Sequence, residues 1–246
     1  MRHPVTIPTP DGPCPATLLR PDGTTPLPAV ILYMDAFGIR PTLVEMSEHL
    51  ASLGYVVLLP DLYFRHGPYA PMDPRDVVGK PNWRELLAPL RATTGNVQAA
   101  KDTASFLEFL ASRDDVQGDK VGTTGYCMGG GIALTAAAMY PSRIAAAASF
   151  HGGQLATDAP DSPHLLAPRI KATVYVAGAD RDANYPPEQA QRLERALSDA
   201  GVRHRCEIYE GALHGYAIKD HPVYNEAADE RHWRELERLL AGALGK

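Results

Sequence analysis

The residue best placed to do chemistry is Cys127, set in Gly125-Tyr126-Cys127-Met128-Gly129-Gly130-Gly131 between a strand-like run and a helix-like run. A nucleophile at such a junction sits on a sharp, strained turn, and the surrounding glycines let the backbone make it. Its side chain then stands at the C-terminal edge of a sheet. The helix that starts just beyond aims its positive end at the sulfur and favours thiolate. The backbone N–H of Met128 is at hand for an oxyanion. With 21 glycines in 246 residues, about 0.002 cysteines in this setting are expected by chance. The plainer alternative is a small buried thiol in a glycine-rich turn.

Such a turn needs a sheet to hold it. Val5-Thr6-Ile7 and Ala16 to Arg20 flank the turn-rich Pro10-Asp11-Gly12-Pro13 and predict an antiparallel hairpin. Further strands are expected at Ala29–Tyr33, Tyr55–Leu59, Val121–Gly125, Ile144–Phe150, Thr173–Ala177 and Arg203–Tyr209. Several are apolar on both faces, as strands covered on both sides are. Between them lie helical stripes: Leu43, Met46, Leu50 and Leu53 before Gly54; Ala100, Ala104, Leu107 and Ala111 within about 96–112; Ala190, Leu193, Leu197 and Ala200 between Pro186-Pro187 and Gly201; and Trp233, Leu236, Leu240 and Ala243 within about 225–243. The alternation predicts an α/β fold with a mostly parallel, doubly wound sheet of seven to eight strands, helices on both faces and an antiparallel start. One domain spanning 1–246 accommodates it. The exception is 61–95, rich in proline, read as irregular with one helix near Trp83 to Leu87. A segment that long either covers a site or is a passive excursion.

Composition removes several function classes. Lys plus Arg is 24 against 29 Asp plus Glu, a formal charge of −5, and the densest basic stretch is Arg203-His204-Arg205. Nucleic-acid binding, which needs clustered cations, is not expected. Cys14, Cys127 and Cys206 are too few and too scattered for a disulfide framework or a zinc ligand pair. The polar, proline-containing start offers no signal-peptide core, and the longest apolar stretch, 132–149, is broken by Tyr140-Pro141-Ser142-Arg143. A soluble, cytoplasmic protein without membrane contact is expected, as a monomer or small homo-oligomer.

Three segments together resemble the dienelactone hydrolase family, a cysteine branch of the α/β-hydrolase fold. They are Tyr33-Met34-Asp35-Ala36-Phe37-Gly38, the Gly-Tyr-Cys-Met-Gly-Gly elbow, and Gly211-Ala212-Leu213-His214-Gly215-Tyr216. The resemblance covers nearly the whole chain. It implies a Cys–His–Asp triad that hydrolyses an activated ester or enol-lactone through an acyl-enzyme, with no cofactor. In members of known activity a glutamate at the place of Asp35 helps ionise the thiol, so Asp35, one methylene shorter, is a candidate thiol-modulating acid or a local loop residue. The family recognises a substrate carboxylate with arginines, for which Arg40, Arg65 and Arg84 are candidates here.

In this fold the chain order is nucleophile, acid, base. Of the histidines after Cys127, His214 lies in the loop following the last strand, at the same sheet edge as the elbow, and is the expected base. Asp182 and Asp180 both follow the strand at Thr173–Ala177. Counting back from Pro186-Pro187 matches Asp182 to the family's acid; counting forward from Gly178 would allow Asp180. Ala36 N–H is the expected second oxyanion donor beside Met128. His151, ending a strand, either contacts substrate or makes a structural hydrogen bond. Two other readings keep the same residues: a broad carboxylesterase acting on non-lactone esters, and a non-catalytic ligand-binding relative with a reactive thiol.

Overall fold

The computed structural model describes residues 1–245. Its centre is one eight-stranded sheet: β1 (Arg2–Thr9), β2 (Gly12–Leu19), β3 (Leu27–Tyr33), β4 (Val56–Pro60), β5 (Val116–Tyr126), β6 (Ile144–Phe150), β7 (Thr173–Ala179) and β8 (His204–Tyr209). The spatial order is β1-β2-β4-β3-β5-β6-β7-β8. β1 pairs antiparallel with β2, and β2 antiparallel with β4; every later pairing is parallel. The mostly parallel sheet with an antiparallel start, expected from the strand–helix alternation, is therefore present, and it agrees with the α/β-hydrolase fold that the family resemblance implied. The crossover from β4 past β3 to β5 reverses the direction in which strands are added, and puts that reversal between the ends of β3 and β5. That is where open α/β sheets gather ligands.

Two helices, α1 (Pro41–Ser52) and α7 (Glu226–Leu244), cover one face of the sheet. Their rings His49 and Trp233 meet at 4.3 Å. The other face carries α4 (Asn96–Ala111), α5 (Met128–Met139) and α6 (Pro187–Asp199). Being covered twice, β3 and β4 are buried almost throughout, which explains their continuous Val/Ile/Leu/Tyr sequences. Helix α5 is so central that its alanines and glycines, from Gly129 to Ala138, are all buried. Small residues let it lie close against both β5 and α4.

The structure corrects the reading of 61–95. Beyond a 3₁₀ turn at Phe64–His66 it forms α2 (Pro74–Val77) and α3 (Trp83–Arg91), twice the helix expected. Asp73 caps α2 by accepting the Arg75 N–H at 2.9 Å, with Pro74 at the first position where its missing N–H costs nothing. Pro89 lies inside α3, but on its exposed side, where water can serve the carbonyl it strands. Val77 and Leu87 pack with Ala36 and Phe37 into a small apolar cluster against Cys127 and Met128, so these helices lie over the elbow. The stripe of α4 also differs. Ala111 is exposed, and Ala99, Thr103, Phe106 and Leu110 are buried with Ala100 and Leu107, because α4 faces both α5 and β5 and uses a wider sector than one stripe. Among the described residues no helix is long and apolar enough to cross a membrane.

Leu240 on α7 is fully buried and fills the space over Gly122 of β5. Leu240→Ala leaves a cavity there and should cost about 3 kcal/mol, read as a lower denaturation midpoint with an unchanged slope in a urea titration.

Candidate active site

The chain turns from β5 into α5 through Cys127, whose φ of 53° and ψ of −113° lie where a side chain is strained. The Cys127 N–H is held by the Phe150 carbonyl of β6 at 3.1 Å, and the Gly130 N–H returns to the Cys127 carbonyl at 3.1 Å. A Cβ at Gly125 would run into the Gly129 backbone, and one at Gly129 into the carbonyls of Tyr33 and Met34. Glycine is thus required on both sides by contact rather than by dihedral angle. The result lifts the sulfur out of the sheet at the start of α5, where the first amides of a helix lack intrahelical partners.

His214 comes to this edge on the loop after β8, and Asp182 on the loop after β7. Asp182 Oδ2 accepts from His214 Nδ1 at 2.6 Å, while Asp182 Oδ1 accepts the Asn184 N–H at 2.8 Å. Burial opposes ionisation of Asp182. The His214 bond and charge and the Asn184 amide overcome it and hold the carboxyl below its usual range. Burial likewise opposes charge on His214, but the neighbouring Cys127 sulfur and Asp182 push its pKa up to about 10. His214 thus stands between the Cys127 sulfur and the Asp182 carboxylate, hydrogen-bonded to both. Asp180 has a different place. It accepts the Gly211 N–H at 3.2 Å, and its own N–H reaches the Ala212 carbonyl at 2.7 Å, so it steadies the loop that carries His214.

Asp35 and Arg40 form one unit. Arg40 Nη1 and Nη2 grip the two oxygens of Asp35 at 2.8 and 2.9 Å, and the same guanidinium binds Asp220 at 2.6 and 2.9 Å. Asp35 also accepts the Phe37 N–H at 3.0 Å. These buried contacts shape the loop after β3 that presents the Ala36 amide. The Ala36 carbonyl accepts from Tyr63 Oη at 2.9 Å, and that hydroxyl lies 3.7 Å from the Met128 sulfur. Tyr63, which sequence reasoning did not single out, therefore ties together the two segments bearing the candidate oxyanion donors. Its position in an apolar stretch after β4 gave no signal of this.

The cavity over Cys127 has a volume of about 300 Å³ and is bordered by His214, Phe37, Trp83, Leu87 and His221 among others. Arg84 lines it and lies over the Trp83 ring at 4.5 Å. The other two candidate arginines do not reach it. Arg40 is buried between Asp35 and Asp220. Arg65 is drawn away to Asp102, by Nη1 at 2.9 Å and Nη2 at 2.5 Å, and to Asp11 at 2.9 Å. Each guanidinium is thus held by a pair of carboxylates away from the cavity. Arg91, one turn or two further along α3, borders the cavity instead. A helical period would have put it beside Arg84, had α3 been recognised at full length. His151 stays behind the cavity wall. Its ring is buried without a hydrogen-bond partner on either nitrogen, 5.3 Å from the His214 ring and 5.0 Å from Tyr216. Burial, then His214, holds its pKa well below 6.5, so it backs His214 as a neutral ring. His221, another of the histidines after Cys127 and not expected at the cavity, packs edge-on to Phe37 at 5.6 Å and fills the space that a Cβ on Gly215 would need. Burial depresses its pKa to about 4.

The sequence model of the Dienelactone hydrolase family matches residues 14–244. A Synechocystis protein named "Putative carboxymethylenebutenolidase" is 26% identical, with 98% of this chain and 96% of that one aligned. A Salmonella typhi protein of the same name is 29% identical, over 98% of this chain and 87% of its own. Among solved structures, the "Putative Dienelactone Hydrolase" of Klebsiella pneumoniae superposes with a TM-score of 0.84 at 25% identity, covering 98% of both chains.

Two measurements follow from the ionisation states. Because His214 titrates near 10 in the folded chain and near 6.5 when free, its contribution to stability is complete below about pH 6.5 and is lost as pH rises through about 10. Thermal midpoints taken across that range should fall more steeply for wild type than for Asp182→Asn. Burial pushes the Cys14 thiol up to about 12 and raises that of Cys206 as well. Iodoacetamide near neutral pH should therefore modify Cys127 first, by peptide mass mapping, and modification of Cys14 at a similar rate would contradict this assignment.

Proposed function

From membership of the dienelactone hydrolase family, to which this chain belongs, we propose that it hydrolyses an activated ester or enol-lactone with Cys127 as nucleophile, His214 as base and Asp182 as orienting acid. The single observation that carries the reading is the Asp182–His214 bond of 2.6 Å beside a sulfur held on a strained turn at a helix start. The Cys127 thiolate attacks the substrate carbonyl, a C–S bond forms, and the carbonyl electron pair moves onto oxygen. The Met128 and Ala36 amides receive that oxyanion. As it collapses, the C–O bond breaks and His214 passes its proton to the departing oxygen. Water then attacks the thioester, His214 takes its proton, and the thiolate leaves with the acyl group released as the acid.

Leaving-group chemistry sets the substrate class. Thiolate is a better leaving group than an alkoxide, so an alkyl ester adduct returns to substrate. An enolate or aryloxide leaves readily and lets the reaction advance. Asp35 serves this scheme through Arg40, by shaping the loop that offers the Ala36 amide, since Arg40 and the Phe37 amide take up its oxygens. Arg84 and Arg91 supply positive charge at the cavity for an anionic substrate group.

The test compares wild type, Cys127→Ala and Cys127→Ser on an enol-lactone, an aryl acetate and an alkyl acetate. Wild type should favour the first two. Cys127→Ala should lose at least about a thousandfold in kcat/KM, the range seen when an acyl-transfer nucleophile is removed. Full activity of Cys127→Ala on the aryl ester would overturn the assignment.

A further inference from the structure

A second cavity, of about 480 Å³, adjoins the first and is the larger of the two. Both are bordered by Arg84, Arg91, Met128, Gly153 and Gln154, so the two lie side by side with Met128 between them. Their linings differ in kind. Phe37, Val78, Trp83 and Leu87 make the first mainly apolar, whereas in the second Thr94, Asn96, Thr157, Asp161 and Ser162 alternate with Ala88, Ala92, Ala159 and Pro163, so that polar groups are a larger part of its wall. In that second wall the Thr94 hydroxyl is buried with no hydrogen-bond partner in the protein. That hydroxyl is itself closed off from the chamber, so the polar groups a ligand meets there are those of the other lining side chains.

The partition between the chambers is built at some cost. Gln154 holds a left-handed backbone with φ 57°, pinned by its N–H to the Asn184 carbonyl at 2.6 Å. A Cβ on Gly153 would lie 2.9 Å from that of Asn184, so this segment is packed tightly in its strained form. Strain of this kind persists only where surrounding contacts impose it, and it gathers at ligand sites.

Direction follows from the proton that must be delivered. His214 borders the first chamber and not the second, so the departing oxygen lies in the first. The acyl substituent then extends the other way, past Met128. Resting on the hydrolase reading above, the geometry points to a substrate with an elongated acyl part bearing hydroxyl or amide groups several bonds beyond the reacting carbonyl, lodged in the second chamber. Together the chambers match the size of a drug-sized ligand rather than of a single small ring.

Aryl esters sharing one leaving group test this: acetyl, a longer apolar acyl chain, and an equally long chain ending in an amide. Ala92→Trp and Ala159→Trp fill the second chamber from different segments, and both positions are exposed. Wild type should show a KM about tenfold lower for the amide-ended chain than for acetyl, a difference of about 1.4 kcal/mol. Each tryptophan should erase that preference while leaving acetyl turnover within about twofold. Equal losses on all three esters, no loss on any, or an apolar chain favoured as strongly as the amide-ended one would overturn the proposal. Calorimetry on Cys127→Ala with the non-hydrolysable amides of the same acyl chains separates the two readings. Chain preference that binding retains and Ala159→Trp removes, without ester turnover in wild type, defeats the hydrolase reading alone. Acetyl turnover without chain preference in either assay defeats the chamber alone.

Discussion

Between β5 and α5 the chain must pass from a buried central strand into a buried central helix within one residue, and the space for that passage fixes much else. Gly125 and Gly129 lie so close to neighbouring backbone that neither can carry a Cβ. Cys127 takes the resulting strain, at φ 53°. The same handover brings the first amide of α5 and the end of β3 to one edge, because Gly129 abuts the carbonyls of Tyr33 and Met34. The partly exposed Cys127 side chain, the Met128 amide and the loop bearing the Ala36 amide are therefore consequences of a single packing constraint. The small residues of α5 are part of it, since a bulkier helix would stand away from β5 and open the turn.

Around that turn, the buried charges hold loops together. Arg40 joins Asp35 of the β3 loop to Asp220 beyond the His214 loop, with all three side chains largely buried. The cost of burying these ions is offset because each carboxylate is met bidentately. Asp180 does a smaller version of the same task for Gly211 and Ala212. Neutral rings fill the remaining space. His151 and His221 are both kept uncharged by burial, one behind His214 and one beside Phe37. A second charged imidazole next to His214 would repel its proton, so their neutrality keeps the Cys127–His214–Asp182 arrangement electrostatically simple.

The strands and most helices were legible because each carries a local signal: doubly apolar runs for β3, β4 and β6, and stripes ending at glycine for α1 and α6. The segment 61–95 was less so. Its prolines read as breakers, although Pro74 sits where a helix accepts proline and Pro89 where water can repair the damage. Tyr63 and Arg91 were not singled out, and His221 was passed over among the histidines after Cys127, for a different reason. Nothing in their neighbourhood in sequence marks them, and each matters only through a partner far along the chain.

Sequence by itself determined the fold class, the strained setting of Cys127, and the family resemblance, since glycine spacing and apolar periodicity are local and survive without coordinates. It also brought forward His214 and two aspartates for one place. Only the tertiary structure put Asp182 on His214 and Asp180 on the Gly211 amide, because two residues of separation on a loop decide nothing until the loop's direction is fixed. Only it withdrew Arg40 and Arg65 from the cavity, where their type had suggested they belonged. A guanidinium goes to whichever carboxylates folding brings within reach, and those carboxylates, Asp220 and Asp102, are 180 and 37 residues away.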